Sequence, residues 1–162
     1  MSVRRILFLC TGNSARSQIA EALVTHKGSG RFTAASAGSK PASQVHPRAV
    51  EVLRQAGIEW IGREPKGLDA VAAASWDIVI TVCDRAKESC PIFPGQPATA
   101  HWGMEDPAEV EGTEEVKLRA FTRTRQLLAR RIDLLLALPI EKLDRLSLER
   151  RLRAIPAESD TR

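Results

Sequence analysis

Tyrosine is absent from the 162 residues, and apart from three histidines the aromatic rings are three tryptophans and four phenylalanines. Without a stacking platform, the single-strand nucleic-acid binder class loses its main device. The formal charge of +4 still attracts anions in general. Much of that charge lies late in the chain, at Arg123, Arg125, Arg130, Arg131, Lys142, Arg145, Arg150, Arg151 and Arg153, with acidic residues between. This reads as a solvated helix face, so no nucleic-acid partner is expected.

Long apolar runs are also missing. Ile6-Leu7-Phe8-Leu9 after Arg4-Arg5 is too short for a signal peptide or a membrane span, and no small-residue cleavage site follows. A cytoplasmic protein with no membrane partner is expected. Cysteine occurs three times, an odd count that argues against a structural disulfide framework and leaves metal binding or thiol redox chemistry. There is no internal repeat and no low-complexity segment.

Residues 3–9 read as a buried strand. Helical spacing of Ile19, Ala20, Leu23 and Val24 predicts a helix from Ser14 or Ala15 to about Thr25, ended by Gly28-Ser29-Gly30. Small residues over 32–38 suggest a second strand. Pro47 opens a helix whose face is Ala49, Val50, Leu53 and Ala56. A short helix is expected over 68–74, a β-branched strand over 76–82, and a loop over 83–97 with prolines at 91, 94 and 97. A strand near 98–101 and an acidic loop over 103–112 follow. A long helix then begins at Thr113, with Val116, Phe121, Leu128, Ile132 and Leu135 on its apolar side, and Pro139 ends it. Strands alternating with helices predict a three-layer α/β fold with a central parallel sheet of about four strands.

The most specific string is Cys10-Thr11-Gly12-Asn13-Ser14-Ala15-Arg16-Ser17, between the first strand and the first helix. A loop at a helix N-terminus turns backbone N–H groups toward an anion, and the helix dipole adds to the attraction. Arg16 brings a planar fork for two oxygens. Cys10 lies at the base of this cup, where a thiol is favoured as the thiolate nucleophile. Gly12 permits the tight loop, Asn13 can steady it through its amide, and Ser14 and Ser17 add donors. Residues 11–17 are thus the expected oxyanion-binding set.

The string resembles the catalytic loop of low-molecular-weight protein tyrosine phosphatases. It resembles even more closely the loop of the thioredoxin-coupled arsenate reductases built on the same fold. Ser36-Ala37-Gly38, His46-Pro47-Arg48-Ala49-Val50, Thr81-Val82-Cys83 with Cys90-Pro91, His101-Trp102-Gly103 and Asp106-Pro107-Ala108 extend the likeness over residues 3–137. The expected organisation is a catalytic domain over 1–137 and a helical extension over 138–162. Leu143, Leu146, Leu152 and Ile155 would form the apolar stripe of that extension, and the last residues, 158–162, would fray.

On residues alone, Cys83 and Cys90 are equally a redox relay or two inert thiols. A zinc site from Cys83, Cys90 and His101, with or without Cys10, needs longer spacings than zinc usually takes, and a ligated Cys10 could not act as a nucleophile. The resemblance favours the relay. It implies attack of Cys10 on arsenate, a Cys10–Cys83 disulfide, and its transfer to Cys83–Cys90. Thioredoxin or glutaredoxin would be the reductant, with no redox cofactor. It selects Asp106 as the proton donor, where the residues alone suggest a turn Asp before proline. Arsenate is the implied substrate, with phosphate or sulfate as other anions for the loop, and the protein is expected to be a monomer.

In related reductases a potassium ion supports the loop through residues matching Asn13, Glu21 and Ser36. Arg63-Glu64-Pro65-Lys66 departs from that pattern, and no metal is expected. Trp60, Trp76 and Trp102 read as packing residues. His26, His46 and His101 have no obvious partner and read as surface or capping residues. The absence of tyrosine, and of aromatics after Asp106-Pro107, weighs against the phosphatase alternative. A non-catalytic oxyanion-binding redox sensor is the third reading.

Overall fold

A computed structural model describes residues 2–160, apart from the side chain of Ser89. Four strands form one sheet: β1 (Arg4–Cys10), β2 (Phe32–Gly38), β3 (Ile78–Thr81) and β4 (Ala98–His101). Their order is β2-β1-β3-β4, and every pairing is parallel. Ile6 to Cys10 and all of β3 are buried without alternation, as strands covered on both faces must be. The expected α/β architecture with a four-stranded parallel sheet is the observed one.

The helices are α1 (Arg16–Lys27), α2 (Pro47–Gln55), α3 (Asp84–Ser89), α4 (Glu114–Leu136) and α5 (Arg145–Asp160). Helix α4 packs against α1, α2 and α5, and α5 lies along β4. Thr113 caps α4, its hydroxyl accepting the Val116 N–H. No helix among the described residues is long and apolar enough to cross a membrane.

Several expectations need correction. Residues 84–89 are helical. The prolines at 91, 94 and 97 made the whole stretch look irregular, yet Asp84-Arg85-Ala86-Lys87-Glu88 puts an acid in the first turn and a base in the last. The stretch after Gly67 is a single 3₁₀ turn, Leu68–Ala70. Val116, in the first turn of α4, is 39% exposed and does not belong to the buried side of that helix. Leu146 is 62% exposed, and Leu148 takes its place in the stripe Leu148-Leu152-Ile155-Ser159. Two positions in a helix differ by about 200°, so both leucines cannot face inward. Residues 158–160, expected to fray, belong to helix α5, which continues through Asp160. Thr161 and Arg162 lie outside the described residues.

The three tryptophans are buried, as read. Each indole N–H has an acceptor: Gln18 Oε1 for Trp60, the Val71 carbonyl for Trp76 and the Leu152 carbonyl for Trp102.

Candidate active site

Strand β1 ends at Cys10, and the chain turns sharply before α1. Only Asn13 in this turn has left-handed backbone, at φ 51°, so Asn13, not Gly12, supplies the unusual conformation. Asparagine tolerates that region better than most residues. The carbonyls of Cys10, Thr11, Gly12 and Ser14 accept N–H groups from Ser39, Lys40, Ala42 and His46. With the carbonyls held on the 39–46 side, the turn leaves its own amides for the cup. Ala15, the N-cap of α1, has no side chain that could fill the first-turn N–H groups. Gly38 is indispensable beside this turn: a Cβ there would come 2.4 Å from the Thr11 carbonyl oxygen.

The buried side chains under the cup form one ordered chain of hydrogen bonds. The Lys66 backbone N–H, which can only donate, meets Asn13 Oδ1 at 2.8 Å, and this fixes the amide orientation. Asn13 Nδ2 then donates to both Ser17 Oγ and Ser36 Oγ, each at 2.8 Å. Ser36 passes its own proton to Glu21 Oε1 at 2.6 Å. Ser17 is left to donate to Cys10 Sγ at 2.8 Å, and the Asn13 N–H also points at that sulfur, at 3.2 Å. Cys10 Sγ thus accepts two hydrogen bonds, one from Ser17 and one from the Asn13 N–H. Gln18 Nε2 adds a second donor to Asn13 Oδ1.

Burial raises the Glu21 carboxyl above its ordinary value, while Ser36, Lys66 and Arg63 pull it down. Its second oxygen faces Arg63 Nη1 at 3.4 Å, and that guanidinium stacks on Trp60. This arrangement does not fit a potassium ion. The nitrogen side of Asn13 faces Ser36, and a guanidinium supplies the positive charge at Glu21.

Arg16 has little exposure and reaches toward the acidic loop. Its Nη1 donates to the Met104 carbonyl at 3.1 Å, and Nη2 is 3.5 Å from Asp106 Oδ2. Asp106 also accepts the Ala108 N–H at the start of the 3₁₀ turn Pro107–Glu109. Asp106 therefore has the turn-capping role that the residues alone suggest, and its other oxygen faces Arg16.

Cys83 Sγ lies 3.3 Å from Thr11 Oγ1 and accepts the Ala86 N–H at 3.4 Å, as N-cap of α3. This places the second sulfur next to the loop that bears the first. Cys90, at the other end of α3, borders a narrow gap that Cys10 also lines, with Leu9, Ser39, Leu68 and Ala86. Its thiol donates to the Pro91 carbonyl at 3.6 Å, and burial pushes it above the ordinary cysteine range. On its other side Cys90 meets a cavity of about 540 Å³ lined by Val79, Thr81, Lys87, Thr99, His101 and Arg153. All three cysteines are free.

The histidine reading is half corrected. His46 does cap α2, its Nδ1 accepting the Arg48 N–H. His101 has partners on both sides, with Thr81 Oγ1 at 2.8 Å and Asp84 Oδ1 at 2.9 Å, and so ties β4 to the start of α3. No motif signalled this link, because its members are 17 and 20 residues apart. The Lys66 N–H and the Met104 carbonyl were equally invisible, being backbone groups.

Comparison with known proteins gives a consistent picture. The family model of the low molecular weight phosphotyrosine protein phosphatases matches residues 5–148. An arsenate reductase of Bacillus licheniformis is 40% identical over 132 residues, covering 82% of this chain and 94% of that protein. A solved arsenate reductase in its oxidized state superposes with a TM-score of 0.71 at 27% identity, over 83% of this chain and 98% of its own. A thioredoxin-dependent arsenate reductase of Corynebacterium glutamicum has a TM-score of 0.54 at 35% identity, over 77% of this chain and 60% of its own.

Proposed function

We propose an arsenate reductase, from the premise that the chain belongs to the low molecular weight phosphotyrosine protein phosphatase family. Relatives in that family that match along most of this chain are themselves arsenate reductases. The observation that carries the reading within the molecule is the position of Cys83, whose sulfur contacts Thr11, the neighbour of Cys10. A phosphatase needs one thiol at this place, and a reductase needs a second.

The steps follow from the chemistry of the named groups. Arsenate sits in the cup of residues 11–17, with Arg16 on its oxygens. The Cys10 thiolate attacks arsenic, and Asp106 protonates the departing oxygen, which leaves as water. The Cys83 thiolate then attacks Cys10 Sγ. The sulfur–arsenic bond breaks with its electron pair on arsenic, which leaves as arsenite, and a Cys10–Cys83 disulfide forms. Cys90 attacks Cys83 Sγ, a Cys83–Cys90 disulfide forms, and the Cys10 thiolate is released.

A dithiol reductant of the thioredoxin class restores Cys83 and Cys90, with glutaredoxin as the other candidate. The two electrons come from thiols, and the reaction belongs in a reducing compartment such as the cytoplasm. The working unit is a monomer, with a catalytic domain over 1–137 and a helical extension over 138–162.

NADPH oxidation in the presence of arsenate, thioredoxin and thioredoxin reductase tests this. Wild type should turn over many times, while Cys10→Ser, Cys83→Ser and Cys90→Ser should not. Hydrolysis of aryl phosphates that survives in the last two variants, with no arsenate-dependent oxidation in wild type, would replace the reading with a phosphatase. Oxyanion binding without turnover of either substrate would leave a sensor.

A further inference from the structure

Helix α5 contains Pro156, whose nitrogen carries no hydrogen. In an α-helix the N–H of a residue bonds the carbonyl four positions earlier. The carbonyl that Pro156 leaves bare is therefore Leu152's, and Leu152 is fully buried. A buried carbonyl without a donor is costly. Trp102, itself wholly buried, supplies the donor: its indole N–H meets the Leu152 carbonyl at 3.0 Å.

The next residue is held by Arg131 of α4, which α5 fixes in turn. The Gly103 carbonyl accepts Arg131 Nη1 at 3.4 Å. Arg131, only 2% exposed, is in turn fixed by Asp160 Oδ2 at 3.0 Å and Ser159 Oγ at 3.4 Å. Immediately after Gly103 come the Met104 carbonyl and, two residues later, Asp106, the two groups that meet Arg16. Adjacent peptides and hydrogen bonds thus link Leu152 to Arg16 without a break. Leu152, Pro156 and Asp160 all lie beyond residue 148, where the match to the family model ends.

We propose that α5 is a positioning element for the acidic loop: Leu152 acting through Trp102, and Asp160 acting through Arg131, fix Trp102–Gly103 and thereby set where Met104 and Asp106 meet Arg16. This rests on the reading of Asp106 as proton donor. Pro156 serves the device by keeping the Leu152 carbonyl for Trp102. None of these α5 residues touches the oxyanion cup, so loosening them should lower kcat and spare KM.

The test uses full-length Trp102→Phe and the double variant Trp102→Phe/Pro156→Ala. The single variant strands the Leu152 carbonyl, and its Tm should fall. In the double variant the backbone N–H regained at position 156 satisfies that carbonyl, so Tm should recover in part, the smaller ring still leaving space in the core. The loop, however, has still lost one of its two anchors. Its kcat for arsenate reduction should stay about tenfold below wild type with KM changed less than twofold, and the Trp102–Ala108 amides should exchange faster with deuterium. A purely structural bond predicts that kcat recovers together with Tm, which would overturn the proposal.

Asp160→Ala, at a half-exposed carboxylate, removes the acceptor for Arg131 Nη2 and carries the test should Trp102→Phe fail to fold. A several-fold fall in kcat with faster loop exchange supports the proposal, and wild-type values of both refute it. Should wild type reduce no arsenate, the functional reading fails. Amide exchange in the same variants then decides the positioning role, and unchanged exchange overturns it.

Discussion

Asn13 combines three demands in one buried side chain: a left-handed backbone, an oxygen for Lys66 and Gln18, and a nitrogen for Ser17 and Ser36. Asn13→Asp keeps the shape but removes the nitrogen donor. Ser17 would then turn its proton to the new carboxylate and away from Cys10. We expect a stability loss of about 2 kcal/mol in urea unfolding, from two lost donor bonds in a buried site. Cys10 should also react more slowly with iodoacetamide at neutral pH.

His46 gives a pH prediction. Burial, then the neighbouring Arg48, hold its imidazole below the ordinary histidine value. Only the neutral ring can accept the Arg48 N–H. The folded state therefore binds fewer protons than the unfolded one. The cap's contribution is complete above the unfolded value and is lost as pH falls through the lowered folded value. His46→Asn keeps an N-cap acceptor that does not titrate. Thermal unfolding across pH 4–7 should show wild type losing about 1 kcal/mol more than the variant toward acid.

Cys90 runs the opposite way. Its raised value means that little thiolate is present near neutrality. Transfer of the disulfide from Cys10–Cys83 to Cys83–Cys90 should accelerate as pH rises above neutral in rapid-quench experiments. A flat profile would show that a step other than thiolate attack, such as the unwinding of the 84–89 helix, limits the transfer.

Among the elements, α3 carries a mechanical demand. Cys83 and Cys90 flank its six residues, and seven helical steps span about 10 Å. A disulfide needs its Cα atoms roughly 4.4–6.8 Å apart. The helix must unwind to form the Cys83–Cys90 bond, so the oxidised protein should lose deuterium protection over 84–89 while β1 and β3 keep theirs.

Helix α5 makes a different demand on β4. The Thr99 N–H, on the free edge of β4, bonds Glu149 Oε2, and the Thr99 carbonyl accepts Arg153 Nε. Side chains thus finish an edge that a fifth strand would otherwise claim. Glu149→Ala should cost about 1–2 kcal/mol in chemical denaturation.

These two helices also mark where sequence reading reached its limit. The strands, α1, α2 and α4 were legible from apolar period, Gly and Pro punctuation and the Thr113 cap. Helix α3 was hidden by the prolines behind it, since a six-residue helix offers too few positions for a period. In α5 the stripe was visible but its phase was not. Only contact with β4 decides between Leu146 and Leu148.

For the molecule as a whole, the parallel sheet brings Cys10, Cys83 and the acidic loop to the carboxyl ends of β1, β3 and β4, the rim where such sheets place their ligands. The cup was legible as a contiguous string. The side chains that meet it from far along the chain were not: Arg63 at Glu21, Met104 at Arg16, and Asp84 at His101 join segments that only folding brings together. The net charge of +4 acts over the same scale. Attraction of an oxyanion by the whole molecule is screened by salt. Raising ionic strength from about 0.01 to 0.5 M should therefore raise the arsenate KM several-fold while leaving kcat nearly constant.

The anchor under the cup has a consequence for how freely this protein can vary. Asn13 is steered by the main-chain N–H of Lys66, not by anything the lysine side chain does. Position 66 can therefore drift among neutral and basic residues while the Asn13 anchor survives, whereas an acid there would reverse the pull that Lys66 exerts on Glu21. Proline is the one substitution that removes the hydrogen itself, leaving Gln18 Nε2 as the remaining donor to Asn13 Oδ1.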